Sequence, residues 1–265
     1  MQAIDLPKGL ASSNARNIAE RLKSISGGKV LDVATGNGDF IRTLMKTLKD
    51  YGSFVGVDSS EKEVKSARKR LKGKSVRIMK MDAEDLQFEI DSFDTVCISY
   101  SLHHLDRVEK VLAEMKRVLK PGGHFIIQEP FRDGKQTEAQ KTDILQHHWE
   151  TEIDSLQGVT HHKTLAKQKI LNVIRNLKLR EVNIFESTHP VRCLFCSDKF
   201  RCDDPKNRQI MNESIREIDS AIDKLKKHPD LQIRTRLQEE GEKIKERIKK
   251  YGLAEASHVF FIGKK

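Results

Sequence analysis

VLDVATGNGDF, residues 30–40, decides the fold. A short apolar, β-branched run ends in an acid and a Gly-x-Gly turn, and a helical pattern begins at once. Gly36 and Gly38 let the chain turn sharply and bring bare backbone against a ligand. The N-terminus of the next helix then offers N–H groups to it. A dinucleotide turn wants a third small residue for close helix–sheet packing, and here that position is Ile41. Asp32, inside the same turn, is a poor neighbour for a pyrophosphate and a good one for a cationic amine. Both features disfavour a nicotinamide-dependent oxidoreductase.

Outward from this stretch the pattern repeats. A helix from Asn14 to Leu22 precedes it, stopped by Gly27-Gly28, and an apolar helical face follows through Phe40, Ile41, Leu44, Met45 and Leu48. SFVGVD, VRIMKMD, TVCISYS and HFIIQEP read as further strands, with helices over Glu61–Leu71 and Val108–Leu119. Pro121-Gly122-Gly123 reads as the turn between the latter helix and its strand. A helix from about Leu165 to Leu177 leads to REVNIFES, and HVFFIG is the last strand. Strand–helix alternation at this pace predicts an α/β fold, an open doubly wound sheet with its ligand at the carboxyl ends of the strands.

The candidate site residues fall at those ends. Asp58 ends the second strand, where a carboxylate can accept both hydroxyls of a ribose; as an N-cap for the helix at Glu61 it is purely structural. Asp82 ends the third strand, placed to accept an adenine amino group or to cap a turn at Glu84. Ser99 follows the fourth strand. Such a set suits an adenosine with a charged amino-acid tail. His103 and His104 lie past the fourth strand and Glu129 ends the fifth, which makes these three the candidates for proton transfer.

The pieces VLDVATGNGDF, GVDSS, MDAED, FDTVCISYSLHHL and LKPGGHFIIQEP, in that order over residues 28–130, resemble a class I S-adenosylmethionine-dependent methyltransferase, similar to the ubiquinone/menaquinone biosynthesis branch. The resemblance implies a Rossmann-like, mainly parallel sheet of seven strands in order 3-2-1-4-5-7-6, the last antiparallel. It implies S-adenosyl-L-methionine as cofactor. Asp32, Ala34, Gly36, Asn37 and Gly38 would surround the methionine part, Asp58 with Ser59 the ribose, Asp82 and Ala83 the adenine, and Ser99 would lie beside the cofactor. The expected activity is methyl transfer to a small or medium-sized acceptor by in-line displacement. A protein or RNA methyltransferase and a non-catalytic cofactor-binding module are the alternatives.

Composition bounds the rest. The chain has 265 residues, 37% hydrophobic and 33% charged, too apolar for disorder. No apolar run reaches the ~20 residues of a membrane span. No signal peptide is seen at the N-terminus, so the cytoplasm is the expected location and no membrane partner is expected. The formal charge is +10, but acids are interspersed and nucleic acid is not expected as a partner.

Residues 131–163 are polar, with His147-His148, His161-His162 and Trp149. Adjacent histidines make poor chelates, so a substrate lid lined with His and Trp149 is expected there. His189, Cys193, Cys196 and Cys202 resemble half of a zinc site, yet a loop of reduced thiols and no metal is the expectation.

Between the last two strands, residues 203–251 read as an antiparallel helical hairpin inserted into a methyltransferase domain of residues 1–202 and 252–265. Its seam runs through Ile215, Ile222, Leu237 and Ile248, broken at His228–Asp230. Two helices bury too little surface alone. The hairpin is therefore expected to pack as a lid or wall of the substrate pocket, with a homodimer interface second.

Overall fold

Val30, Leu31 and Val33 of the opening strand are fully buried, and so are Val96, Ile98, Phe125, Ile126 and Ile127 on the strands beside it. Such runs belong to strands covered on both faces. The computed structural model describes residues 11–12, 15–159, 161–187, 204–226 and 228–265. The chain divides into two compact units, Met1–Glu129 with Gln168–Ser187 and His258–Lys265, and Pro130–Lys167 with Thr188–Ser257.

Unit 1 is the sheet. Its strands are β1 (Ala11–Ser12), β2 (Lys29–Val33), β3 (Ser53–Asp58), β4 (Val76–Lys80), β5 (Phe93–Ser99), β6 (Leu119–Pro130), β7 (Arg180–Ser187) and β8 (His258–Lys264). From edge to edge the order is β4-β3-β2-β5-β6-β8-β7-β1. Pairs β2–β3, β2–β5, β3–β4 and β5–β6 are parallel, and β7–β8 is antiparallel. This is the expected order of seven strands with one addition, the two-residue β1 pairing parallel to β7 at the edge. Helices α1 (Ala15–Leu22), α2 (Asp39–Thr47), α3 (Glu61–Arg70) and α4 (Val108–Val118) alternate with the first strands, and α6 (Lys167–Asn176) precedes β7.

Pro121-Gly122-Gly123 departs from its expected role. Helix α4 runs directly into β6, which pairs with β5 at Leu119↔Phe93 and resumes at His124↔Thr95. The tripeptide is a bulge within the strand, not a turn before it. Pro121 has no N–H to give to the ladder, and Lys120 Nζ ties the bulge to Asp94 Oδ1 at 2.7 Å.

Unit 2 is helical. Helix α5 (Glu138–Leu156) occupies most of the polar stretch. It starts from a capping box in which the Thr137 hydroxyl accepts the Gln140 N–H while the Gln140 side chain accepts the Thr137 N–H. Helices α7 (Arg208–Leu225) and α8 (Leu231–Tyr251) form the hairpin, and Asp230 caps α8 by accepting the N–H groups of Gln232 and Ile233. The third surface that the hairpin needs is α5: Trp149 and Ile153 are buried in one cluster with Ile218, Leu225, Leu237, Ile244 and Ile248.

Trp149 is therefore a core residue of unit 2, not the lining of a lid. Its indole Nε1 donates to the Leu237 carbonyl at 2.8 Å. Gly241 makes room for the ring, since a Cβ there would stand 2.9 Å from Trp149 Cζ2 and 3.0 Å from Ile222 Cδ1. The His189, Cys193, Cys196 and Cys202 cluster lies outside the described residues.

Candidate active site

The Gly-x-Gly turn leaves β2 with Ala34 at φ 52° and passes into α2 through Gly38 at φ 84°. For Ala34, as for Tyr100 at φ 53° after the neighbouring β5, this left-handed backbone is strained and persists only where the surroundings enforce it. Asn37 Oδ1 accepts the Asp39 N–H at 3.1 Å, which sets the start of α2. A Cβ added to Gly36 would meet nothing within 4 Å, so open space lies over the turn.

Asp32 is sunk beneath the turn, 1% exposed. The Thr35 hydroxyl donates to its Oδ2 at 2.6 Å and the Cys97 thiol to its Oδ1 at 3.3 Å. Burial pushes the Asp32 carboxyl up to about 7, against the lowering effect of these two bonds. Burial and the adjacent Asp32 also hold the Cys97 thiol well above its usual range.

Asp58 is half-buried at the end of β3. Its Oδ2 accepts the Gly36 N–H and its Oδ1 the Ser60 N–H, both at 2.9 Å. The N-cap of α3 is Ser60, whose hydroxyl accepts from Glu63 N–H. Asp58 thus ties the end of β3 to the glycine turn, with a second lone pair on each oxygen for a ligand. Ser59 beside it is exposed. Asp82, also exposed, makes an Asx turn to Glu84 N–H at 2.9 Å, with half-buried Ala83 between them. Ser99 Oγ donates to Gln128 Oε1 at 3.3 Å.

Glu129 and His103 come together as a buried pair, with Nδ1 2.5 Å from Oε1. Glu129 Oε1 also accepts the His103 N–H at 3.2 Å, and its Oε2 accepts the N–H groups of Ser101 and Leu102, both at 3.1 Å. Residues 102–104 form a 3-10 turn, and this carboxylate organises its start. His104 points to the exposed side, its ring centroid 4.2 Å from that of His103. In unit 2 the two histidine pairs meet as well. The rings of His147 and His161 are 4.8 Å apart, His161 Nδ1 lies 2.6 Å from Asp154, and His148 Nε2 lies 2.8 Å from Thr164 Oγ1.

Thr35, Cys97, Tyr100 and Ser101 were not marked by their sequence context. Thr35 reaches Asp32 from within the same turn, whereas parallel pairing sets Cys97 opposite Asp32 and brings the Ser101 hydroxyl to 3.4 Å from the Ala34 carbonyl.

A glycine turn, an acid at each of three neighbouring strand ends and the 3-2-1-4-5-7-6 order define the class I methyltransferase fold. Residues 31–127 match the family described as Methyltransferase domain. Over 105 residues it is 37% identical to the ubiquinone/menaquinone biosynthesis C-methyltransferase UbiE of Burkholderia mallei and of Burkholderia thailandensis, an alignment covering 39% of this chain and 43% of theirs. The chain thus matches less than half the length of these relatives. Among solved structures it resembles phosphoethanolamine N-methyltransferase 2 of Haemonchus contortus, solved with phosphomonomethylethanolamine and S-adenosylhomocysteine (TM-score 0.54, 19% identity, 95% of this chain and 52% of that one). It also resembles the YcgJ protein of Bacillus subtilis (TM-score 0.51, 17% identity, 95% and 97%). At these identities the likeness is one of fold. Among the described residues no helix is long and apolar enough to cross a membrane.

Proposed function

We propose that the protein is an S-adenosylmethionine-dependent methyltransferase acting on a small or medium-sized acceptor. The observation that carries this reading is the rim of unit 1, where open space over Gly36 adjoins the Asp58 carboxylate, itself bonded to that turn. The residues fit the cofactor. Gly36, Asn37 and Gly38 would hold its methionine part, Asp58 with Ser59 its ribose, and Asp82 with Ala83 its adenine, while Ser99 and Ala34 would border it. Asp32 supports this reading from beneath, fixing the turn through Thr35. When bound, the cofactor supplies an electrophilic methyl on a sulfonium.

The chain's own contribution is alignment, exclusion of water and management of one proton. Glu129 accepts four donors when His103 carries its proton on Nδ1, which assigns the basic lone pair to Nε2. His103 would then be the group that takes the proton of a hydroxyl or carbon-acid acceptor. Glu129 is the positioning residue for that imidazole. An amine with a free lone pair needs no such base, so the dyad favours an acceptor that must lose a proton.

The test is incubation of the protein with S-adenosylmethionine and a metabolite extract. The expected result is a product heavier by one methyl group, together with cofactor binding by calorimetry and no binding of NAD. Cofactor binding without any turnover across extracts would instead identify a non-catalytic module.

A further inference from the structure

Residues 61–80, which make α3 and the edge strand β4, carry nine Lys and Arg against two Glu. That is a net +7 within twenty residues, of the whole chain's +10. The charge of this protein is therefore concentrated on one edge of unit 1. Among the described residues β4 pairs with β3 alone and ends the sheet.

Two of the nine are used internally. Arg68 donates from Nε and Nη2 to the Ile78 carbonyl at 3.1 and 3.0 Å, clamping α3 onto β4. Arg70 pairs with Asp39 at 2.5 Å. Lys65 has only a long contact of 3.9 Å to Glu61. Lys62, Lys69, Lys72, Lys74, Arg77 and Lys80 are all exposed and have no ion pair among the described residues.

One or two charges suffice to keep an open edge strand from pairing with another chain, and Arg77 and Lys80 already do that. Of the remaining charges, Lys62, Lys65 and Lys69 sit on α3 and Lys72 and Lys74 in the turn from α3 to β4, where there is no edge to protect. Lys62, Lys65 and Lys69 follow one another at the three- and four-residue steps of a single helix face, and Lys72 follows in the turn beyond it. Seven like charges packed onto one edge repel one another, and a polyanion relieves that repulsion.

We propose that the α3–β4 edge is a docking surface for the phosphate backbone of double-stranded nucleic acid. A ten-residue helix is about 15 Å long, and a duplex carries one charge per ~1.7 Å of axis with both strands counted, so the stretch of duplex along the edge holds about nine phosphates, roughly half of them on the near side. The chemistry of the surface selects among polyanions. Val64, Ala67, Leu71 and Ile78 are buried, and residues 61–80 contain no aromatic residue. The edge lacks the aromatic platform on which single-stranded bases stack and the exposed apolar side chains that an interfacial helix inserts into a bilayer. The clamp by Arg68 makes it a rigid bed for a backbone of fixed spacing. This inference does not depend on the identity of the methyl acceptor.

The test is titration of the full chain with a fluorescent duplex of about 20 base pairs and mixed sequence at 50 and 200 mM salt. Binding at the lower salt, weakened by roughly 10²-fold at the higher, is expected for four or five phosphate contacts. Replacing Lys69, Lys72, Lys74 and Arg77 by Gln should weaken binding by about 10–100-fold and flatten the salt dependence, with an unchanged thermal melt. Replacing Lys224, Lys243, Lys249 and Lys250 of the hairpin by Gln should leave binding within about twofold, because those charges are not part of the α3–β4 edge. Three results would overturn the proposal. They are no duplex binding by the wild type at 50 mM salt, equal binding by the α3–β4 variant, and binding to vesicles of phosphatidylserine and phosphatidylcholine without binding to the duplex.

Discussion

The two units are built from different kinds of information. In unit 1 the strands β2, β3 and β5 are each followed by a helix, and the residues proposed for the cofactor rim lie within a few positions of a strand end. In unit 2 the core joins side chains far apart in the chain. Trp149 and Leu237, joined by a hydrogen bond, are 88 residues apart, and the Ser214 hydroxyl reaches Gln146 at 2.6 Å. A unit assembled from local signals tolerates independent drift elsewhere in the chain. A unit assembled from distant ones depends on a few contacts that no neighbouring residue can replace.

That contrast can be broken by substitution. The largest effect is expected at the dyad of unit 1. His103→Ala should lower kcat by about 10²–10⁴ with little change in cofactor affinity if Nε2 takes the acceptor proton, measured by single-turnover methylation once an acceptor is known. Unchanged kcat would leave alignment as the whole of the catalysis. In unit 2, Trp149→Ala removes the ring that joins α5 to the hairpin. It should cost about 3–5 kcal/mol and raise amide exchange across α5, α7 and α8; a loss below about 1 kcal/mol would show that the helices do not rely on this contact.

Asp58→Ala should weaken S-adenosylmethionine binding by about 2–4 kcal/mol, since a charged acceptor is lost from the ribose position. Calorimetry showing no change would confine Asp58 to tying the turn.

A fourth prediction concerns Asp32, whose folded pKa of about 7 stands above its usual 3.8. A raised carboxyl binds its proton more tightly in the folded state. Its contribution to stability is therefore full below about pH 4 and is lost as pH rises through about 7. Asp32→Asn should leave the melting temperature little changed near pH 4 and raise it progressively above that, reaching at pH 8 an amount equivalent to roughly 2–4 kcal/mol. Parallel pH profiles for the two proteins would remove Asp32 as the cause. The smallest effect is Gly241→Ala, where the helix gains about 1 kcal/mol in propensity but the new Cβ meets Trp149 and Ile222. A net loss of about 1–2 kcal/mol in a denaturant melt is expected.

The same contrast explains what could be read in advance. SFVGVD and REVNIFES have the bounds of β3 and β7, and the hairpin seam reappears in buried Leu237 and Ile248, with Ile215 and Ile222 packed against the same cluster, because each signal is periodic and local. Helix α5 escaped because its buried positions include Gln140, Thr142, Gln146 and Thr151, which blur its apolar period. The two glutamines are satisfied at a distance, as Gln140 Nε2 donates to the Glu255 carbonyl and the Ser257 hydroxyl and Gln146 Oε1 accepts from the Ser214 hydroxyl, whereas the Thr142 and Thr151 hydroxyls donate to carbonyls of α5 itself. Its one local mark was the Thr137–Gln140 capping box. At the site, Asp58 was legible as a strand-end acid. The burial of Asp32 under Thr35 and Cys97, and the collection of backbone N–H groups by Glu129, depend on which strands lie side by side.

The position of β8 sets a timetable for synthesis. It lies between β6 and β7, yet about 130 residues separate the end of β6 from its start. At 5–20 residues per second the ribosome needs roughly 6–25 s to deliver them. Through that interval the nascent chain holds β6, with its apolar Phe125, Ile126 and Ile127, as an uncovered edge. Chaperone demand during translation should therefore peak after β6 has emerged and fall when β8 closes the sheet.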